Sequence, residues 1–298
     1  MRYFRPMLAE TLPKNWGKLN FPLLASSKLD GIRALVGQDG SHTRNGYAIP
    51  NRRLEAILGM LPMGLDGELV LPPFDHPRVF TRTQSVVMSH EHPDTLDLHY
   101  FVFDRVEEAG FATRVERLQE VFTNYTSAIT LRQVSQRIVM DEAALRMEIE
   151  RDLEEGFEGT ILRSLNGPYK HGRSTVKEGY MFKVKPLEDL EAEVLGVVEF
   201  ERNENEQTRT NLGYAKRSSS QEGKVKAGML GALICFHPKW PIPWKVGTGF
   251  TQEERVGLWE KREELKGLKV KVAYLPYGSD EAPRHPRFEG FRDGRDGP

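Results

Sequence analysis

The apolar positions of the chain gather into short segments of β character through its first two-thirds. They are Leu23–Ser27, Ile32–Val36, Gly67–Leu71, Leu98–Phe103, Thr160–Arg163 and Tyr180–Val184. Helical stretches lie between them. One runs from Asn51 to Met60 and another over Arg114–Tyr125. A third begins after Asp141, read as an N-cap, and ends at Gly156, read as the glycine that follows a helix. Long excursions from strand to strand predict an α+β domain. No repeat at a solenoid period is present.

The pattern changes near Pro186. AEVLGVVEF, GMLGALICF, WKVGTGF, KVKVAYLPYG and RHPRFEGFRD read as strands. One helix, TQEERVGLWEKREEL, interrupts them, opened by a capping box of Thr251 and Glu254. Several strands and one helix predict a small OB-type β-barrel, a common platform for nucleic acid. The expected domains are 1–187 and 188–298, with the linker near Pro186–Leu190.

Composition narrows the classes. Of 298 residues, 39% are hydrophobic, 29% charged and 9% aromatic, which describes a folded soluble protein. No run approaches the roughly eighteen apolar residues of a membrane span. The first residues, MRYFRPMLAETLPKNW, lack the apolar core of a signal peptide. Cys235 is the sole cysteine, which excludes an intramolecular disulfide and a four-cysteine zinc site. A reducing, cytoplasmic compartment is the simplest expectation. The net charge is −1, yet the stretch from Gln207 to Gly228 holds Arg209, Lys216, Arg217, Lys224 and Lys226 against the single acid Glu222. Nucleic-acid binding depends on such clustering rather than on the sum.

SSKLDGIRAL, beginning at Ser26, places two cations and a carboxylate between apolar segments. Asp-Gly is a common turn; the sharper reading makes Lys28 a nucleophile. A free lysine amine has a pKa of ~10.4, so it needs neighbouring cations that lower it and a metal-bound polyphosphate as electrophile. Further cations and acids are therefore required elsewhere. Thr43-Arg44-Asn45-Gly46 offers an arginine on a tight turn, able to grip a phosphate, and is equally a hairpin turn. Glu68 in LDGELV can meet a ribose hydroxyl or a metal-bound water, or simply open an edge strand. Phe101 and Phe103 share a strand face, where one can stack on a purine or both can be core. In EGTILR, alternation puts Glu158 with Thr160 and Leu162, and Ile161 with Arg163. Lys183 and Lys185 fall on one face, where they repel unless an anion lies between them, although edge lysines also discourage aggregation.

Each signal is modest alone, but KLDGIR, TRNG, DGELV, YFVFD, EGTILR and KVKP in this order, before an OB-like tail, resemble the covalent nucleotidyltransferase superfamily. The nearest likeness is to the small ATP-dependent DNA ligases of phages and bacteria. The resemblance implies a nucleotidyltransferase (adenylation) domain of antiparallel sheets and helices, followed by a C-terminal OB-fold barrel. It implies ATP, with AMP carried on Lys28, and Mg²⁺ or Mn²⁺. It also implies transfer of that AMP to the 5′-phosphate of a nick in duplex DNA, then sealing by the 3′-hydroxyl. Lys28, Lys183, Lys185 and Arg44 are the implied catalytic residues, Arg44 on the 5′-phosphate of the nick. Ser26, Arg33, Glu68, Phe103, Arg163, Lys183, Lys185 and Arg292 are the implied nucleotide contacts, and Glu68 and Glu158 the implied metal ligands. Arg44, Arg209, Lys216, Arg217, Lys224 and Lys226 would meet DNA.

In the tail, Arg284, Arg287 and Arg292 are candidates to orient pyrophosphate. Two departures stand out. Asp293 is followed by Gly294-Arg295 where relatives often have a lysine. Ser26 stands where they often carry an acid near the adenine amine, so a backbone carbonyl can serve there instead. A monomer with no further DNA-binding module is expected. An RNA ligase or capping-type guanylyltransferase, and a non-catalytic OB protein that binds nucleic acid, are the rival readings.

Overall fold

The computed structural model describes residues 5–13, 16–76, 78–185, 188–209, 215–218, 220–275 and 282–292. Pro186, Leu187, Asp293, Gly294 and Arg295, which the sequence reading invoked, lie outside the described residues. The described residues fall into two compact units, one ending at Lys185 and one beginning at residue 188.

The first unit opens with β1 (Met7–Leu8), β2 (Glu10–Thr11), β3 (Leu23–Ser27), β4 (Ile32–Gly37) and β5 (Gly40–Thr43). Helix α1 (Arg52–Leu58), β6 (Leu65–Val70), α2 (Val79–Met88), β7 (His99–Arg105) and α3 (Phe111–Asn124) follow. Then come β8 (Thr130–Gln133), β9 (Arg137–Val139), α4 (Glu142–Glu154), β10 (Thr160–Ser164), β11 (Gly172–Arg173) and β12 (Met181–Val184). The caps explain the helix starts. Asn51 accepts from the Leu54 amide at 3.0 Å, and Asp141 from that of Ala144 at 2.8 Å. Gly156, at φ 82, follows α4 as expected. Helix α2 has no side-chain cap and went unpredicted; its residues, VFTRTQSVVM, carry few of the strong helix formers.

Two five-stranded sheets result, ordered β2-β12-β10-β3-β9 and β5-β4-β6-β7-β8. Neither is wholly antiparallel, as had been expected: β12–β2 and β7–β8 pair in parallel, as do β1 and β11 outside them. The first sheet buries Leu23, Ala25, Leu162 and Phe182 with Leu145 and Ile149 of α4. The second buries Ala34, Leu65, Leu69 and Val102 with Leu54 and Leu58 of α1 and Leu118 of α3.

A buried ion network joins the two sheets. Asp104 on β7 has no exposed surface, and it accepts Arg163 of β10 and, at 2.7 Å, Arg114 of α3. Arg114 is also fully buried and donates to the Gly167 carbonyl at 3.0 Å. Buried charges persist only when partnered in this way.

The second unit contains β13 (Glu188–Asn203), β14 (Gln207–Arg209), β15 (Ala215–Arg217), β16 (Lys224–Phe236) and β17 (Trp244–Val246). It continues with α5 (Gln252–Glu260), β18 (Lys269–Leu275) and β19 (Arg284–Phe291). Both hydrogen bonds of the expected Thr251–Glu254 capping box are present. The sheet runs β17-β16-β13-β18-β19 around a core that includes Val194, Leu233, Val246, Val270 and Phe288. The expected barrel is not closed. Among the described residues its edges meet at a single bridge, Thr248 with Arg287, and β17, only three residues long, forms no ladder with β19.

Replacing Asp104 with Ala leaves two buried guanidinium groups uncompensated. Urea denaturation should show the first unit destabilised by about 3–5 kcal/mol; a loss below about 1 kcal/mol would mean the network is not what holds the sheets together.

Candidate active site

The ends of β3, β10 and β12 and the facing strands β4, β6 and β7 enclose a cavity of about 300 Å³ within the first unit. Lys28 enters it just beyond β3. Its backbone is fixed at both ends: its amide donates to the Gly159 carbonyl at 2.7 Å, and its carbonyl accepts from the Glu158 amide at 3.1 Å. Gly159 is essential to that turn. Its φ is 143, and a Cβ there would lie 2.1 Å from the Val184 carbonyl oxygen. The same glycine corrects the predicted alternation. Glu158 lines the cavity with Ile161 and Arg163, not with Thr160 and Leu162, because the strand begins only after Gly159.

Glu158 has 5% of its surface exposed and holds Lys28 on one carboxylate oxygen and Lys185 on the other. Burial opposes its ionisation, but the two ammonium charges and their hydrogen bonds outweigh this and hold its pKa below the ordinary value. Lys183 makes no ion pair among the described residues. Burial and the charges of Arg173, Lys185, Arg44 and Lys28 lower its pKa. Six cations line the cavity (Lys28, Arg33, Arg44, Arg163, Lys183 and Lys185) against three acids (Asp30, Glu68 and Glu158), an excess that favours an anionic guest. Arg44 lines the same cavity on the predicted turn, which closes through the Gly46 amide on the Thr43 carbonyl at 2.9 Å. The turn and the cavity-facing arginine are thus both real.

The opposite wall carries Arg33, Glu68 and Phe103. Arg33 lies 5.0 Å from the Phe103 ring centroid and donates its Nε to Asp66 at 2.7 Å. Asp66, fully buried, also accepts the Tyr169 hydroxyl at 2.6 Å. Glu68 pairs across the sheet with Arg33. Desolvation raises its pKa to about 7; Lys28 and Arg33 oppose the rise, while Asp66 and Glu158 support it. Phe101 stays out of the cavity and packs on Phe74 at 5.2 Å.

Ser26 lines the cavity, buried at 5% exposure. Arg163 reaches it too, but its guanidinium is committed to Asp104 and to the sulfurs of Met7 and Met181, so in this structure it braces the wall. Glu68 and Glu158 form no cluster of three metal-ligating side chains among the described residues. The donor set suits a cation that keeps waters and borrows phosphate oxygens, not a cage made only of protein ligands.

The remaining predicted residues belong to the second unit. Arg292 donates its Nε to Glu191 at 2.6 Å, and Arg284 and Arg287 lie on β19. Arg209 and Lys216 lie on the β14–β15 hairpin, where Lys216 stands opposite Thr208. Arg217 donates to the Asn205 carbonyl. Lys224 and Lys226 pair with Glu201 and Glu199 at 3.9 and 3.6 Å. The count of one opposing acid in that stretch missed these partners because they sit across the ladder on β13. Sequence reasoning also passed over Asp66, Asp104, Arg114, Tyr169 and Arg173. Two of them, Asp66 and Asp104, carried a signal: each is an acid inside an apolar strand.

Residues 6–185 match the family model described as ATP dependent DNA ligase domain, and residues 222–292 match that of the DNA ligase OB-like domain. A probable DNA ligase of Rhodococcus opacus is 28% identical, over 96% of this chain and 51% of its own. A DNA ligase of African swine fever virus is 27% identical, over 62% of this chain and 48% of its own. The chain thus spans about half the length of the curated relatives it matches. Among solved structures, a Chlorella virus DNA ligase-adenylate is 28% identical with a TM-score of 0.55, covering 97% of this chain and 99% of that one. A Lig E DNA ligase shares the fold, with a TM-score of 0.69 at 24% identity, over 95% of this chain and 99% of that one.

The raised Glu68 pKa has a measurable sign. The folded chain keeps this proton up to about pH 7, whereas the ordinary value is 4.5. The stabilising contribution is therefore complete below pH 4.5 and lost as the pH rises towards 7. Over that window the wild type should lose up to about 3 kcal/mol relative to Glu68→Gln, measured by urea denaturation. Parallel profiles for the two proteins would show that Glu68 is not desolvated.

Proposed function

The chain belongs to the ATP-dependent DNA ligase family, and we propose on that premise that it seals 3′-OH/5′-phosphate nicks in duplex DNA through a lysyl-AMP intermediate. The observation that carries this reading is the Lys28 amine, seated against Glu158 in a cavity whose other cations include Lys183, which has no ion pair among the described residues.

The Lys28 amine, once deprotonated, attacks the α-phosphorus of ATP; a P–N bond forms and the bond to pyrophosphate breaks. An oxygen of the 5′-phosphate of the nick then attacks the same phosphorus, so that the P–N bond breaks and the lysine regains a proton. Finally the 3′-hydroxyl attacks the activated 5′-phosphate, forms the phosphodiester and releases AMP. Each step is substitution at phosphorus, where positioning and charge stabilisation dominate. Lys183 and Lys185 fit the α-phosphate, Arg44 the 5′-phosphate, Phe103 and Ser26 the adenine, and Glu68 the ribose. Mg²⁺ or Mn²⁺ would be held by Glu68 and Glu158 and would neutralise phosphate charge. Arg163 would act behind the nucleotide wall.

In this reading residues 1–187 form the adenylation domain and 188–298 the OB-like domain. Arg284, Arg287 and Arg292 would serve pyrophosphate. Arg209, Lys216, Arg217, Lys224 and Lys226 would meet DNA phosphates, since exposed ion pairs such as Lys226–Glu199 exchange partners readily. A cytoplasmic monomer is the proposed working form.

Mass spectrometry after incubation with ATP and Mg²⁺ should show one added AMP, mapped to Lys28, with none from GTP. Lys28→Ala should lose the adduct and the sealing of nicks from ATP, while still sealing, at least in part, a nick that already carries 5′-AMP. Normal labelling of the alanine protein would assign the nucleophile elsewhere, and a GTP adduct would favour a capping-type enzyme.

A further inference from the structure

We propose that Asp152, on α4 and outside the cavity, is a positioning residue that sets the meeting of Lys28 with Glu158. The inference rests on the proposed role of Lys28. Asp152 has no exposed surface. One of its carboxylate oxygens accepts the Ser27 hydroxyl at 2.7 Å, and the other accepts the Thr160 hydroxyl at 2.6 Å. Ser27 and Thr160 are direct partners across the β3–β10 ladder. Ser27 immediately precedes Lys28, and Thr160 follows Glu158 by two residues. A single carboxylate therefore grips both strands at the rung from which the two reacting-site side chains emerge.

The grip is braced from a third strand. Arg137 on β9 donates to Asp152 at 2.7 Å and to Glu148 of α4 at 2.5 Å. The guanidinium compensates the buried charge and ties α4 to the sheet edge, so the carboxylate cannot follow one strand without the other. The alternative ties at this point are backbone hydrogen bonds between residue 28 and residues 158 and 159. Those bonds, with the β3–β10 ladder, hold the two strands to each other, but none of them ties the pair to α4. The two hydroxyl anchors on the Asp152 carboxylate make that tie and limit the pair's freedom to shift. An in-line attack on phosphorus is sensitive to such freedom, and a displacement near 1 Å can cost about 100-fold in rate.

Thr160 offers the clean test, because it is fully buried and does not line the cavity. Its hydroxyl donates to Asp152, and Thr160→Val keeps the branched shape while removing that contact. The experiment compares Thr160→Val, Thr160→Ser and Asp152→Asn with the wild type. It measures single-turnover lysyl-AMP formation across ATP concentrations, and sealing of a nick already bearing 5′-AMP. Thr160→Val and Asp152→Asn should slow lysyl-AMP formation at saturating ATP by about 10- to 100-fold. The half-saturating ATP concentration and the sealing of the adenylated nick should change by less than about threefold, and Thr160→Ser should restore the wild-type rate within about threefold.

Should Asp152→Asn fail to fold, the Thr160 pair decides alone. Wild-type rates in Thr160→Val would overturn the proposal while leaving the lysine chemistry intact. Equal losses in all three measurements would also overturn it, by marking a purely structural role. A wild type that forms no adduct would remove the reading of Lys28 on which the inference stands.

Discussion

The cavity has two walls that belong to different sheets, and the buried Asp104–Arg163 ion pair bridges them. Lys28, Glu158, Lys183 and Lys185 come from the first sheet and its turns; Arg33, Glu68 and Phe103 come from the second. Apolar packing alone would bring two such sheets together, but it is weakly directional. A carboxylate shared between Arg163 and Arg114 is strongly directional, since each guanidinium presents its donors in a fixed fork. The pair adds little net stability compared with an apolar filling, because both charges had to leave water. Its value lies in geometry, which is what a site built for substitution at phosphorus requires.

Electrostatics then grade the cavity from its back to its mouth. At the back, Asp66 pairs with Arg33, and Asp104 is shared between Arg114 and Arg163. Further out, one carboxylate serves two lysines, and Lys183 has none among the described residues. Arg44 and Arg173, both exposed, add to the positive charge around Lys183. Glu68 does not cancel this excess at neutral pH, because burial keeps it partly protonated. A neutral carboxyl can also donate a hydrogen bond, which an ionised one cannot.

Much of this was legible in the residues, and the failures have physical causes. Strand positions, the Asn51 and Asp141 caps and the Thr251–Glu254 box follow from local rules, and they hold. The helix at Val79–Met88 was missed because it has no cap and few strong helix formers; packing of Val86 and Val87 against the second sheet sustains it. Phe103, Lys183 and Lys185 line the cavity, but alternation groups Phe101 with Phe103 and could not show which of the two reaches it. Glu158 was assigned to the wrong face because one glycine at φ 143 resets the alternation, and a sequence shows the glycine but not its dihedral. Asp104, Arg114 and Tyr169 were overlooked for a different reason. Asp104 meets Arg163 from 59 residues away and Tyr169 meets Asp66 from 103, and although Arg114 is only ten residues from Asp104, their pairing too depends on α3 packing against β7. The acids opposing Lys224 and Lys226 were missed for the same reason.

The depressed pKa of Glu158 has a further consequence for the proposed chemistry. At neutral pH the residue is an anion inside a cavity proposed to receive a triphosphate. A phosphate arriving beside it meets repulsion unless one of two things occurs. Lys28 and Lys185 can transfer their hydrogen bonds from the carboxylate to the phosphate, or a divalent cation can lie between the two anions. The first alone would leave Glu158 desolvated and unpaired, which is costly at 5% exposure. The second would keep Glu158 compensated, and Lys28 would then be the residue released towards the phosphate. Two carboxylates near the phosphates, with the remaining ligands left to water and substrate, are what such a cation needs. In that reading Glu158, the resting partner of Lys28 here, would also be one of the residues that hold the cation.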